Sequence, residues 1–184
     1  MSDSGNGPDG LDSAHPPLGG SPAASPTAWA VLDIDGVLAD VRHRLHHLDG
    51  ARRDWGAFFA GMDADPVLAP GREVAQEAVA SGLAIAYLTG RPERYRSRTD
   101  RWLRSHGLPP GDLRMRPDRD RRPAREFKID ALTSLAASMP IAFLLDDDED
   151  VVRAARAAGF TARQADWLPR SHGLHEAQET SGRT

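Results

Sequence analysis

The chain has no cysteine, a single lysine, and no apolar run approaching the roughly 20 residues that a membrane span requires. Without cysteine there is no disulfide scaffold, no thiolate zinc site and no cysteine nucleophile. Residues 1–28 contain no basic segment followed by an apolar one, so no secretory leader is expected, and the chain reads as cytoplasmic with no membrane partner. Two catalytic signatures are also missing. There is no Gly-x-x-x-x-Gly-Lys-Ser/Thr loop for a P-loop kinase, and no Gly-x-Ser-x-Gly elbow for a serine hydrolase. The shortage of lysine is the oddest absence: 22 of the 23 basic residues are arginine, and Lys128 stands alone.

What is present suits one domain, since 184 residues leave room for a real core and little else. The formal net charge of −4 conceals unequal parts. Residues 1–28 hold five Gly, five Pro, five Ser and three Asp, with no basic residue. Such a segment cannot bury enough apolar surface to offset its ordering entropy, and a disordered tail is expected there. Residues 171–184 are expected to form a flexible C-terminal tail, which leaves 29–170 as the folded domain. Within it, residues 91–128 carry 13 basic and six acidic side chains. That stretch is either a set of solvated helix faces or a basic surface for a phosphate-bearing partner, because a guanidinium matches phosphate bidentately.

The folded part alternates short apolar runs with helical patterns. Residues 29–34, 83–88 and 141–145 read as buried strands, with shorter ones at 113–115 and 160–164. Helices are expected over 71–81, 93–106, 124–137 and 149–158, three of them closing at Gly82, Gly107 and Gly159. Apolar strands separated by helices predict an α/β, Rossmann-like doubly wound parallel sheet covered on both faces. Residues 40–70 intervene between the first strand and first crossover helix and predict a small helical flap or cap.

Chemically useful groups fall where such a sheet binds ligands, beyond the carboxyl ends of the strands. Asp33-Ile34-Asp35-Gly36 follows the first strand, Thr89-Gly90-Arg91 the second, and Asp146-Asp147-Asp148 another. Any one of these alone reads as a turn or a helix cap. Together and in order they read as a site. At an effective dielectric near 20, two carboxylates about 4 Å apart repel by about 4 kcal/mol. A hard divalent cation that prefers oxygen ligands, such as Mg²⁺, resolves that repulsion, and Lys128 adds a compact second charge.

The order Asp33-Ile34-Asp35-Gly36-Val37, Thr89-Gly90-Arg91, Lys128, Asp146-Asp147 resembles the four motifs of the haloacid dehalogenase (HAD) phosphohydrolase superfamily, over about residues 29–165. The resemblance implies a phosphatase with Asp33 as the nucleophile that forms an aspartyl-phosphate and Asp35 as general acid/base. It implies that Thr89 binds phosphoryl oxygens and that Lys128 stabilises developing charge. Mg²⁺ would be held by Asp33, the Asp35 backbone carbonyl and the Asp146-Asp147 pair, with Asp147 the preferred direct ligand. In that mechanism Asp35 begins protonated.

Closer similarity is to the phosphatase domain of polynucleotide kinase/phosphatase proteins. It is carried by Thr89-Gly90-Arg91 before an arginine-rich helix, by Met115-Arg116-Pro117 before Lys128, and by Asp146-Asp147 before Val151-Val152. Arg44, eleven residues after Asp33, matches a basic position of that group. The resemblance makes Arg44, Gly90 and Arg91 contacts for the substrate phosphate, and nucleic-acid 3′-phosphate ends the substrate. A free nucleotide or another small phosphomonoester is the alternative, and no protein partner can be inferred. A receiver-like module is disfavoured because Lys128 precedes the last acidic cluster, and a silent nucleic-acid-binding module because no motif residue is lost. His43, His46 and His47 lie at helical spacings and read as solvated, although 43 and 47 could share a metal. Trp55, Phe58 and Phe59 form an apolar face that either packs inward or stacks on bases.

Overall fold

In the computed structural model, residues 25–49 and 53–169 are described. The tail expected at 171–184, and all but the last four residues of that expected at 1–28, lie outside them. Five strands form one sheet: β1 (Trp29–Leu32), β2 (Ala84–Pro92), β3 (Gly111–Arg116), β4 (Ile141–Asp146) and β5 (Ala162–Gln164). All pairings are parallel, in the order β3-β2-β1-β4-β5. Between them run α2 (Ala69–Ala80), α3 (Arg96–Ser105), α4 (Ala124–Ala136) and α5 (Glu149–Ala157), with the short α1 (Trp55–Ala60) inside the 40–70 insert. This is the α/β architecture expected from the sequence. Among the described residues, no helix is long and apolar enough to cross a membrane.

Alternation along β1 divides the core between the two sheet faces. Ala30 and Leu32, with Ile34 beyond the strand, pack with α2, α3 and the insert, while Val31 packs with Ala86, Leu144 and the apolar sides of α4 and α5. Three strands, β2, β3 and β4, outrun their expected bounds. β2 continues through Thr89-Gly90-Arg91 to Pro92 because β3 pairs with it as far as Pro92 opposite Arg116. That extension fixes the loop carrying Thr89 and Arg91 as part of the sheet.

The insert is packed into the core, and Phe58 and Phe59 of its aromatic face are not offered to a ligand, while Trp55 is half-buried. Leu48, Phe58, Phe59 and Met62 are buried, and Phe59 stacks on Tyr95 with ring centroids 4.9 Å apart. Burial of a phenylalanine contributes roughly 2–3 kcal/mol, so these side chains bind the insert to the sheet and are closed to base stacking. The base of the insert is stitched by two backbone hydrogen bonds, Asp40 N–H to the Pro66 carbonyl and Leu68 N–H to the Leu38 carbonyl, both 2.8 Å. An antiparallel bridge joins Ala39 to Val67 between them. α2 then presses on the turn after β1: a Cβ at Gly71 would lie 2.0 Å from the Val37 carbonyl oxygen.

Candidate active site

The sheet changes winding direction at β1, with β2 and β3 on one side and β4 and β5 on the other. Such a switch leaves a crevice at the carboxyl ends of the central strands. Asp33 and Asp146 flank it, and the Asp33 N–H donates to the Leu145 carbonyl at 2.9 Å, which locks the two strand ends together. Gly36 completes the turn at φ 82°, a left-handed conformation, and a Cβ there would lie 2.2 Å from Asp147 Oδ2. Only glycine serves both needs.

The buried ionic groups fall into two sets. In the first, the Lys128 ammonium reaches in from α4 and lies 2.9 Å from Asp33 Oδ2 and 2.7 Å from Asp146 Oδ2. Asp147 joins them, and carboxylate oxygens of Asp33, Asp146 and Asp147 lie within 4.8 Å of one another. One ammonium therefore faces three carboxylates. Burial and mutual repulsion outweigh Lys128 at each of them. Desolvation raises the pKa of Asp33, with Asp35 adding repulsion, and takes Asp146 up to about 7, with Asp33 adding to the rise. Asp147 rises well above the usual carboxylate range from burial and the charges of Asp33 and Asp146. Lys128 itself loses proton affinity to desolvation, but the attraction of Asp146 and Asp33 more than restores it, and its pKa is raised.

The second set surrounds Asp35. Arg44 Nη2 donates to Asp35 Oδ1 at 2.6 Å, while Arg91 donates through Nη2 to Oδ1 at 2.6 Å and through Nε to Oδ2 at 2.9 Å. Both arginines also hold Asp65. Arg44 donates to it through Nε and Nη2, at 2.7 and 2.8 Å, and Arg91 through Nη2 at 2.9 Å. The His43 ring nitrogen Nε2 lies 2.8 Å from Asp65 Oδ1, and the Trp102 indole N–H donates to the Asp65 carbonyl at 2.9 Å. Arg44 and Arg91 are 1% and 0% exposed, so in this state they are counterions and not surface contacts. Burial pulls the Asp35 pKa upward, but Arg91 and Arg44 prevail and hold it down at about 2. The expectation of a protonated Asp35 therefore fails for this arrangement, because two guanidiniums stabilise its ionised form.

Thr89 is fully buried, and its hydroxyl accepts from the Arg91 N–H at 3.1 Å, keeping its own proton to donate. Gly90 lies in β2 between them and is also buried. Asp65 is the residue that sequence reasoning missed. It stands in the insert, far from any motif, and only the pairing of Arg44 with Arg91 reveals it. His43 points to Asp65, so it does not pair with His47 around a metal. Among the described residues, Asp33, Asp146 and Asp147 form the one group of three or more ligating side chains placed to hold a metal.

The donor set fits a hard cation. Asp33 Oδ1 and Asp147 Oδ1 are buried without a hydrogen-bond partner, an arrangement that costs free energy unless something positive lies between them. Asp146 is more committed: Oδ2 takes Lys128 and Oδ1 accepts from the Asp148 N–H at 3.1 Å. Asp147 is thus the freer of the pair. The Asp35 side chain is occupied by its arginines, which leaves only its backbone carbonyl for such an ion.

A sequence model of the phosphatase domain of polynucleotide kinase PNKP matches residues 26–167. The chain belongs to that family. It is a HAD-type phosphatase, and solved structures share its fold. A chain of the Pnkp1/Rnl/Hen1 complex is 24% identical with a TM-score of 0.64, over 89% of this chain and 54% of that one. A second, from the Pnkp1/Rnl/Hen1 RNA repair complex, has the same identity and TM-score over 79% of this chain and 44% of that one. CbbY from Rhodobacter sphaeroides, in complex with phosphate, is 15% identical with a TM-score of 0.55, over 85% and 92% of the two chains. The chain thus spans about half the length of the first two. None of the curated proteins compared with it matches.

Proposed function

We propose that the protein is a Mg²⁺-dependent phosphomonoesterase that removes 3′-phosphates from nucleic-acid ends through an aspartyl-phosphate on Asp33. The observation that carries the reading is the crowding of Asp33, Asp146 and Asp147 around one lysine at the switch point of the sheet. Asp33, the Asp35 carbonyl, Asp146 and Asp147 would hold the ion. When bound, it would neutralise charge on the carboxylates and on the transferring phosphoryl group.

The side chains of this chain supply the rest. An Asp33 carboxylate oxygen attacks phosphorus while the bond to the leaving alkoxide breaks. Thr89 donates to a phosphoryl oxygen, and Lys128 neutralises negative charge beside the reacting carboxylate. Asp35, once freed of its guanidiniums, takes up a proton from solvent, and the alkoxide leaves with that proton. Water then attacks the phosphoryl group, loses a proton to Asp35, and frees phosphate and the Asp33 carboxylate. The resting arrangement suits Asp35 for the second step, because it is held ionised. For the first step its two guanidiniums must yield, and an arriving phosphate dianion is the group that would draw them off. Gly90, Arg91 and Arg44 would then meet the phosphate as the resemblance implies.

Family membership supports a nucleic-acid end as the substrate. The deciding experiment compares 3′-phosphorylated oligonucleotides, 5′-phosphorylated oligonucleotides and mononucleotides at matched concentration, with Mg²⁺ or with a chelator. Preference for the 3′-phosphorylated strand, abolished by the chelator and weakened by salt, is the expected result. A preference for mononucleotides that salt does not change would assign the activity to small phosphomonoesters.

A further inference from the structure

Most arginines of the 91–128 stretch are neutralised close to home. Arg94 pairs with Asp118, Arg96 with Glu93, Arg98 with Asp63, Arg104 with Asp100, Arg114 with Asp112, and Arg122 with Asp120 and Asp130. The pairing breaks down in the loop between β3 and α4. Arg119 and Arg121 are exposed there, and neither has a hydrogen bond or ion pair among the described residues. Arg101, mid-helix in α3, is the other exposed arginine of the stretch without one.

Beneath the loop lies Arg116, only 1% exposed, its guanidinium 4.7 Å from the centre of the Phe127 ring and short of hydrogen-bond acceptors. Its Nη1 donates to the Arg122 carbonyl at 2.9 Å, which turns the guanidinium into the loop, and Asp120 stands at a long 3.5 Å. Nε and Nη2 have no acceptor. Desolvation, opposed by Asp120 but reinforced by Arg122 and Arg121, lowers its pKa to about 10. The same loop ends at the start of α4, a 13-residue helix whose N-cap, Pro123, has no side chain to accept from the first-turn amides, and whose first turn carries one exposed carboxylate, Glu126, against the loop's arginines. An under-compensated buried cation, two free surface cations and an uncapped helix start thus share one loop. Each of them favours an anion.

Its place in the fold says which anion. Arg116 ends β3, two strands from Asp33, about 10 Å at ordinary strand spacing. Lys128 follows Ala124 by four residues, which sets the start of α4 about 6 Å along the helix from the lysine at the site. A terminal phosphate on Asp33 would leave the next phosphodiesters of the same strand within reach of this loop.

We propose that Arg119, Arg121 and the first turn of α4, with the buried Arg116 behind them supplying uncompensated positive charge, form a phosphodiester subsite that holds the strand behind the terminal phosphate. The proposal rests on the nucleic-acid reading above and deepens it by naming where the strand lies. Two measurements test it on the full chain. The first is kcat and KM on p-nitrophenyl phosphate and on a 3′-phosphorylated ten-nucleotide single strand. The second is fluorescence anisotropy of a 5′-labelled strand ending in a 3′-hydroxyl, which reads binding without turnover.

Exchanging both surface arginines, Arg119→Gln with Arg121→Gln, is expected to raise KM for the oligonucleotide about tenfold and leave kcat/KM on p-nitrophenyl phosphate within twofold. It should also reduce the slope of log binding constant against log salt by about 1.4, since each single-strand phosphate contact contributes about 0.7. Arg116→Gln, if it folds, shifts the same ratio in the same direction; the surface pair decides the matter if it does not. An equal loss on both substrates, or no change on the oligonucleotide, overturns the subsite. Strand binding that depends on Arg119 and Arg121 in a protein that spares 3′-phosphates supports the subsite and overturns the assigned reaction. Absence of strand binding in the unaltered protein overturns the subsite whatever it hydrolyses.

Discussion

The two buried ionic sets at the strand ends differ in charge balance. Around Asp35, two carboxylates meet two guanidiniums, and nearly every oxygen is paired. Around Asp33, three carboxylates meet one ammonium, and two buried oxygens are left over. The balanced set has its carboxylate oxygens satisfied but leaves Arg44 Nη1 and Arg91 Nη1 buried without acceptors, so what it lacks is an anion. The deficient set is costly when metal-free and favourable when a cation fills it. The contrast separates the part of the site open to an anion from the part open to a cation.

Removing the nucleophile gives the largest effect. Asp33→Asn should reduce phosphate release from p-nitrophenyl phosphate at least a thousandfold, and full turnover in purified protein would end the assignment. Next comes the lone lysine. Lys128→Arg keeps the charge but replaces a compact ammonium, gripped at 2.9 and 2.7 Å in a fully buried slot, with a planar fork. Its kcat should fall about a hundredfold; a variant as active as the parent would mean that charge alone suffices there.

A third test breaks one carboxylate in each set and compares signs by thermal unfolding without metal. Asp65→Asn leaves two buried guanidiniums facing one carboxylate and should cost about 3 kcal/mol. Asp147→Asn relieves repulsion and should raise Tm by a few degrees, about 1 kcal/mol being worth about 2–4 °C in a chain of this size. Shifts of the same sign would erase the distinction.

The smallest expected effect is in pH. Asp35 sits at about 2 in the fold, so its contribution is present above the unfolded value of about 3.9 and fades as pH falls toward 2. Asp146, held up near 7, behaves oppositely: the fold favours its protonated form, and that contribution fades as pH rises from about 4 to 7. The stabilising increment from Mg²⁺ should therefore be larger at pH 7.5 than at pH 4.5, as paired melting curves with Mg²⁺ and with a chelator would show. An increment that does not change with pH would mean that the deficient set is not where the ion binds.

The deficient set was legible in the sequence because each of its carboxylates follows an apolar strand, and strand ends converge in a parallel sheet; Lys128, inside α4, stood out as the lone lysine. The balanced set was half legible. Asp35 and Arg91 belong to motifs, and Arg44 was flagged by spacing, but their mutual pairing was not foreseen and Asp65 had no signal at all. A single aspartate in an irregular insert is indistinguishable from a turn residue until its partners are placed. The arginine-rich stretch was left between two readings for a related reason. Arg104 has Asp100 four residues away and Arg122 has Asp120 two away, so local pairing was visible in the spacing, yet a summed charge counts such pairs as free.

The stitched base of the insert also bears on how this scaffold can change. Leu38, Asp40, Pro66 and Leu68 bring the two ends of residues 41–65 together at one joint, so a replacement segment that also refilled the core positions of Leu48, Phe58, Phe59 and Met62 would meet the sheet at the same place. At its buried face the present segment brings one arginine and one aspartate, Arg44 and Asp65, while Arg91 stays with the sheet. Its removal takes away equal and opposite charge and leaves Asp35 with Arg91. A different cap could be grafted at this joint without stranding a charge under it, which makes the insert a natural point for altering substrate access while the chemistry stays fixed.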